Sequence, residues 1–228
     1  MRWAVIAFGG TNCDQDVYYA ISGFGVDCDW IWQKDGLKKN YDAIIIPGGF
    51  SYGDYLRPGA IAARADIMND VHTLVQDGSL VLGICNGAQI ACESGLVPGI
   101  FTRNTYPKFV CRSTYLRVET NESPFTSLFE AGDVISIPIA HGMGRYVPPL
   151  LSEPSGAPDV AFRFCDEHGR STPAVNHNGA HEHITGVFGS TRNILAMMPH
   201  PERACDALLG SIDGTRIFRS MIDYCEHR

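Results

Sequence analysis

Two short runs constrain this chain more than any other feature: Ala43-Ile44-Ile45-Ile46 and Leu80-Val81-Leu82-Gly83-Ile84. Neither alternates polar with apolar residues. A strand that is apolar at every position must be covered on both faces, as in a parallel sheet between layers of helix. Pro47-Gly48-Gly49 stops the first run. Trp3 to Phe8 is a similar apolar piece ended by Gly9-Gly10, and Val26 to Trp32 alternates as a further strand. Between them Val17, Ala20, Ile21 and Phe24 recur at helical spacing over Asp14 to Phe24, with Asn12 or Asp14 as candidate caps. Ile61 to Val75 reads as one helix, and Gln89 to Ser94 as a short one ending at Gly95. Strand, helix, strand in this rhythm implies right-handed crossovers. The expected fold is α/β, a mostly parallel central sheet flanked by helices.

The middle of the chain changes character. Tyr115 to Glu119 and Val134 to Ile139 read as strands, Pro148 to Pro158 as a loop, and Ile184 to Phe188 with Ile194 to Met198 as a pair around Gly189-Ser190-Thr191. We expect a small antiparallel excursion between about residues 105 and 190. Gly214 to Cys225 closes the chain with helical spacing at Ile217, Phe218, Met221 and Ile222. No repeat or linker divides the chain, so one domain over 1–228 is expected, a length that buries a single core well.

Charge excludes some partners. A formal net charge of -7 and the absence of a basic run, even beside Lys38-Lys39, argue against nucleic acid. Tyr106, Phe109 and Tyr115 lack the basic residues of a stacking groove and are expected to serve core and loop packing. No apolar segment approaches membrane-spanning length, and the N-terminal run is too short for a signal peptide, so a cytoplasmic location is expected. The eight cysteines contain no Cys-x-x-Cys pair and are expected to be free thiols, most of them buried. His181-Glu182-His183 lacks a third ligand at sensible spacing, so no metal site is expected.

The chemistry concentrates at Gly83-Ile84-Cys85-Asn86-Gly87, which follows an apolar strand and precedes a helix. A nucleophile elbow needs that context, with glycines where neighbouring backbone passes close. The helix N-terminus favours a thiolate, and the N–H after the nucleophile can hold an oxyanion. A bare Gly-x-Cys-x-Gly fits a buried structural cysteine equally well; the preceding buried strand tilts the balance. A cysteine nucleophile wants a base, and the base an orienting group. Of eight histidines, His200 stands out in Met197-Met198-Pro199-His200-Pro201-Glu202-Arg203, where two prolines stiffen the turn and Glu202 can point the same way. Spacing alone favours a rigid surface turn for that pair.

Together, Gly83-Ile84-Cys85-Asn86-Gly87-Ala88-Gln89 and His200-Pro201-Glu202 resemble the two signatures of class I (triad-type) glutamine amidotransferases. Phe8 to Asp14, Pro47 to Arg57, Ile139-Ala140-His141-Gly142 and Met198 to Arg203 narrow the resemblance to the branch serving purine synthesis, and it runs from residue 3 to the C-terminus. The Pro47 to Asp54 string is specific to that branch, whereas the elbow alone marks only the superfamily.

The resemblance implies a flavodoxin-like sheet and a role for each matched position. Cys85 would attack the glutamine amide carbon, His200 would move protons, and Glu202 would hold His200. Gly49 and the Asn86 N–H would form the oxyanion hole. Gln89, His141 and Gly142 would contact the amino-acid end of glutamine. The family has an acidic residue after the His-Gly pair, where this chain has Met143. No phosphate-binding glycine motif is present, so no cofactor is expected on this chain. The resemblance places Mg-ATP on a partner, a large synthetase subunit with a small accessory subunit, which converts formylglycinamide ribonucleotide to formylglycinamidine ribonucleotide using the ammonia. Two other readings remain: a related elbow-cysteine hydrolase or peptidase, in which a histidine commonly follows the cysteine where this chain has Asn86, and a non-catalytic assembly subunit.

Overall fold

Nine strands form one sheet in the order β2-β1-β3-β4-β11-β10-β9-β6-β7. The structure is a computed structural model and describes residues 1–38, 40–149 and 157–228. Strands β1 (Arg2–Ala7), β2 (Asp27–Trp32), β3 (Ala43–Ile46) and β4 (Leu80–Ile84) run parallel, and β11 (Ile194–Met197) joins them parallel to β4. The other neighbour of β11 is β10 (Ile184–Phe188), and from there the pairing is antiparallel through β9 (Val160–Cys165), β6 (Val110–Val118) and β7 (Val134–His141). Two short strands, β5 (Ile100–Thr102) and β8 (Arg145–Val147), pair separately.

The parallel strands are as deeply covered as their composition requires. Every residue of β3, β4 and β11 is buried. Each fully buried isoleucine or leucine contributes roughly 1.5–3 kcal/mol relative to exposure, so the centre of the sheet is the most strongly anchored part of the fold. Helices α1 (Asp14–Gly23) and α4 (Gly214–Glu226) meet through Phe24 and Phe218, whose rings lie 5.9 Å apart. Helix α2 (Ile67–Gln76) buries Ile67, Met68, Val71 and Leu74 on one stripe, and α3 (Asn86–Glu93) is buried along nearly its whole length. No helix among the described residues is long and apolar enough to cross a membrane.

Several expectations need correction. The helix expected over Ile61 to Val75 is two pieces: a 3-10 turn at Ala62–Arg64, then α2, separated by Ala65 in an extended conformation (φ −67°, ψ 143°). Buried Ala62 and Ala63 seat the first piece beside α3, where Gly59 meets the α3 backbone closely: a Cβ there would lie 2.7 Å from the Ile90 nitrogen. Helix α1 is preceded by Cys13 rather than capped by Asn12 or Asp14, and no side chain caps it. Helix α3 begins three residues earlier than expected. The antiparallel excursion is a four-strand continuation of the central sheet. β6 starts five residues before Tyr115, because its exposed first half (Cys111, Arg112, Ser113) is held by the backbone ladder to β7 and carries no burial pattern to betray it. Tyr106, Phe109 and Tyr115 are exposed rather than packed in the core. Lys39 and residues 150–156 of the expected Pro148 to Pro158 loop lie outside the described residues.

Candidate active site

Four of the segments singled out by chemistry leave the carboxyl ends of parallel strands, where open α/β sheets place their sites, and His141-Gly142 reaches them from the end of antiparallel β7. The 8–13 turn follows β1, Pro47-Gly48-Gly49 follows β3, Cys85 follows β4 and His200 follows β11.

Cys85 sits at φ 50°, ψ −105°, in a region that non-glycine residues avoid, at a cost on the order of 1–3 kcal/mol. Three features hold it there. Its N–H donates to the Met197 carbonyl at 2.8 Å. A Cβ on Gly87 would lie 1.8 Å from the Ile46 carbonyl oxygen, and one on Gly83 would lie 2.7 Å from the Gly87 oxygen. The flanking glycines are therefore required by backbone contact between β3, β4 and α3. The Cys85 sulfur faces the Ala140 carbonyl of β7 at 3.7 Å.

His200 is 2% exposed and Glu202 4%. Imidazole Nδ1 and carboxylate Oε1 are 2.7 Å apart, while Nε2 is buried with no hydrogen-bond partner among the described residues. The His200 N–H donates to the Pro138 carbonyl at 2.8 Å, so the antiparallel half of the sheet fixes the base. Burial alone would strip the imidazole of its proton. The Glu202 carboxylate and the sulfurs of Cys85 and Cys13 outweigh that effect and hold His200 well above the ordinary histidine range.

The turn at Gly48-Gly49 is set by β1. The Gly48 carbonyl accepts from the N–H groups of Asn12 (3.3 Å) and Cys13 (3.1 Å). A trans peptide holds its C=O and N–H on opposite sides, so the Gly49 N–H turns away from that loop. Among the described residues nothing accepts from the Gly49 or Asn86 N–H. Gly49 adopts φ 149°, and a Cβ there would lie 2.5 Å from the Asn12 nitrogen, which leaves glycine as the residue that fits.

The Asn86 side chain ties this turn to the opposite wall. Its Oδ1 accepts from the Ser51 N–H (3.1 Å) and its Nδ2 donates to Gln89 Oε1 (2.8 Å), while Gln89 Nε2 donates to the Met143 carbonyl (2.7 Å). Both ends of the Gln89 amide are thus committed within the protein. The position where the family has an acidic residue contributes a backbone oxygen here, which any residue supplies. Asn104 Nδ2 donates to the His141 carbonyl, Asn104 Oδ1 accepts from the Gly144 N–H, and Asn178 Nδ2 donates to the Gly144 carbonyl. His141 is the buried last residue of β7, and neither of its ring nitrogens has a partner. Burial, helped by the positive charge at His200, lowers it to about 4 and keeps it neutral.

Residues expected at the site therefore converge, with Gly142 contributing its carbonyl to Asn104 N–H at 3.1 Å. His181-Glu182-His183 lies in a 3-10 turn immediately before β10, with Glu182 and His183 at positive φ. Sequence reasoning missed Ser51, Asn104, Asn178, Cys13 and Arg203. Asn104 and Asn178 are buried polar residues of irregular segments that no local pattern marks, whereas Ser51, Cys13 and Arg203 lie inside segments that carry the family resemblance but suggested no role of their own. Among the described residues, one cluster has metal-like spacing, Cys13 with His200 and Glu202, whose donor atoms lie within 4.8 Å of one another. Arg203 Nη2 sits 3.1 Å from the Cys13 sulfur, and that fixed positive charge disfavours a cation.

Residues 1–225 match the CobB/CobQ-like glutamine amidotransferase domain. The phosphoribosylformylglycinamidine synthase subunit PurQ of Methanosarcina barkeri is 50% identical over 227 residues, covering 98% of each chain. The chain belongs to the PurQ family of glutamine amidotransferases. The Moorella thermoacetica PurQ is 47% identical, covering 99% of this chain and 97% of its own. A chain of the PurLQS structure from Thermotoga maritima superposes with a TM-score of 0.88 at 42% identity, covering 98% of both. A more distant glutamine amidotransferase from Thermotoga maritima, 13% identical with a TM-score of 0.58, shares the fold and covers 100% of this chain and 84% of its own.

Proposed function

We propose that this chain is the glutaminase subunit of a phosphoribosylformylglycinamidine synthase, hydrolysing glutamine through a thioester on Cys85 and passing the ammonia to a synthetase subunit. The observation that carries the reading is the strained Cys85 elbow beside a buried His200–Glu202 pair whose Nε2 has no hydrogen-bond partner among the described residues.

The chemistry follows from the geometry. His200 holds the proton of the Cys85 thiol, leaving a thiolate to attack the side-chain amide carbon of glutamine. Negative charge develops on the amide oxygen, where the N–H groups of Gly49 and Asn86 receive it. One such donor is worth on the order of 10²–10³ in rate. The tetrahedral intermediate collapses as His200 gives its proton to the leaving nitrogen, and ammonia departs. Water, deprotonated by His200, then attacks the thioester and releases glutamate. Glu202 keeps Nδ1 protonated and the ring aimed. His141 and Gly142 form the wall at the amino-acid end of the substrate, and Gln89 serves that wall by holding Met143.

The partners of this reading are a PurL-like synthetase subunit, where Mg-ATP is used, and a PurS-like accessory subunit, acting in the cytoplasm on formylglycinamide ribonucleotide. Retention of Cys85, His200 and Glu202 in contact geometry weighs against a purely structural subunit, and Asn86 after the nucleophile weighs against a peptidase.

The test is glutamate release from glutamine by the purified chain, alone and with a PurL-like subunit, its nucleotide substrate and Mg-ATP. A large rise on adding the partner is expected. High activity alone would point to a free-standing hydrolase, and none in either setting to an assembly role.

A further inference from the structure

Cys13 is 3% exposed, directly precedes α1, and its sulfur has so far no part in the reaction. It lies within 4.8 Å of donor atoms of both His200 and Glu202. A Cβ built on Gly48 would touch three groups at once: His200 Cε1 at 2.8 Å, Cys13 Sγ at 3.2 Å and Cys85 Cβ at 3.3 Å. The imidazole thus has the nucleophile's side chain and a second sulfur around it, with Gly48 as the spacer that lets all three meet.

Cys13 is itself fixed. Its N–H is bound to the Gly48 carbonyl, and Arg203 Nη2 donates to its sulfur at 3.1 Å, with Asp16 3.6 Å from Arg203 Nε on the far side. The connection runs from Asp16 through Arg203 and Cys13 to His200.

We propose that Cys13 is a positioning residue for glutamine hydrolysis: its sulfur, oriented by Arg203, forms with Glu202 the cradle that holds the His200 ring toward Cys85. This rests on the glutaminase reading above. Glu202 restrains the ring at Nδ1, and the groups packed against the ring set how far it can swing about that bond. A polarizable sulfur against the ring limits that swing and favours the imidazolium. The charged and titratable groups acting on His200 are Glu202, Cys85, Cys13 and His141, with Arg203 reaching it through Cys13, so removing Cys13 leaves the other three in place. By holding the 12–13 amides on the Gly48 carbonyl, the same segment also presets the Gly49 N–H, which couples base and oxyanion donor to one turn.

The experiment uses the chain in its synthetase complex for kinetics and the chain alone, with ring-labelled histidine, for titration. Cys13→Ala is compared with Cys13→Ser, whose hydroxyl can replace the sulfur as acceptor, and His200→Asn assigns the His200 signal. Cys13→Ala should lower the His200 titration midpoint and reduce kcat with glutamine about tenfold with KM little changed, and Cys13→Ser should restore most of both. An unchanged midpoint and kcat in Cys13→Ala overturn the proposal. So does a Cys13→Ser variant no better than Ala, because a packing role alone would then account for the loss. Cys85→Ala, run beside them, separates the two ideas. If it keeps glutamine use the glutaminase reading fails, whereas the His200 midpoint in Cys13→Ala still judges the cradle.

Discussion

Gly48→Ala is the sharpest probe of the site, because the added methyl group has a computable destination. Gly48 has no left-handed backbone requirement, so alanine fits the chain itself; the obstacle is the side chains around it. The new Cβ would stand 2.8 Å from His200 Cε1. Carbon atoms pack at about 3.5 Å, so the ring must retreat by roughly 0.7 Å. It cannot do so freely, since Nδ1 is already 2.7 Å from Glu202 and the pair is buried. Overpacking of this kind costs about 1–3 kcal/mol of stability. A misplacement of about 1 Å at a catalytic group costs on the order of 100-fold in rate, so a 10- to 100-fold loss of kcat/KM for glutamine is expected. The assay is glutamate release by the assembled complex, with ammonia-supported product formation by the same preparation as the internal control. Glutamine turnover within about twofold of wild type, in a folded variant, would refute the packing argument.

Three further outcomes are expected. Cys85→Ala and His200→Ala should abolish glutamine-dependent synthesis while added ammonia still supports it, and glutamine use surviving either change would remove that residue from the triad. Gly87→Ala should destabilise the chain by more than about 4 kcal/mol in urea melts, because no shift of a side chain relieves a 1.8 Å contact with the Ile46 carbonyl; Gly95→Ala, at φ 79° with open space around it, should cost only about 1–2 kcal/mol. The neutral, buried His141 should make stability fall with acid: the unfolded chain takes up its proton near pH 6.5 and the folded chain only near pH 4, so the loss begins below about 6.5, reaches about 3 kcal/mol below about 4, and should be flattened by His141→Asn.

The middle of the parallel half was legible because β3, β4 and β11 are apolar at every position, a pattern that burial on both faces explains. Cys85 and His200 were legible because glycines and prolines mark tight turns at strand ends. The first half of β6 was not, since hydrogen bonds to β7 sustain it without an apolar face. Nor was the break at Ala65, where contact with α3 overrides a helical pattern. The roles of the supporting asparagines and of Cys13 were illegible for a different reason. The partners that tie them into the site lie 34 to 190 residues away, and no local pattern records those contacts.

The placement of β11 has a consequence for biosynthesis. The last strand to be translated fills the middle of the sheet, hydrogen-bonded to β4 on one side and β10 on the other. Until it inserts, the two halves have no shared edge, and the residue that follows it, Met198, leads directly to the base. A nascent chain therefore carries its nucleophile for more than a hundred residues before it can use it. Pairing across such separations is slow to form, so hydrolytic competence should arrive in a single late step, once the whole sheet closes.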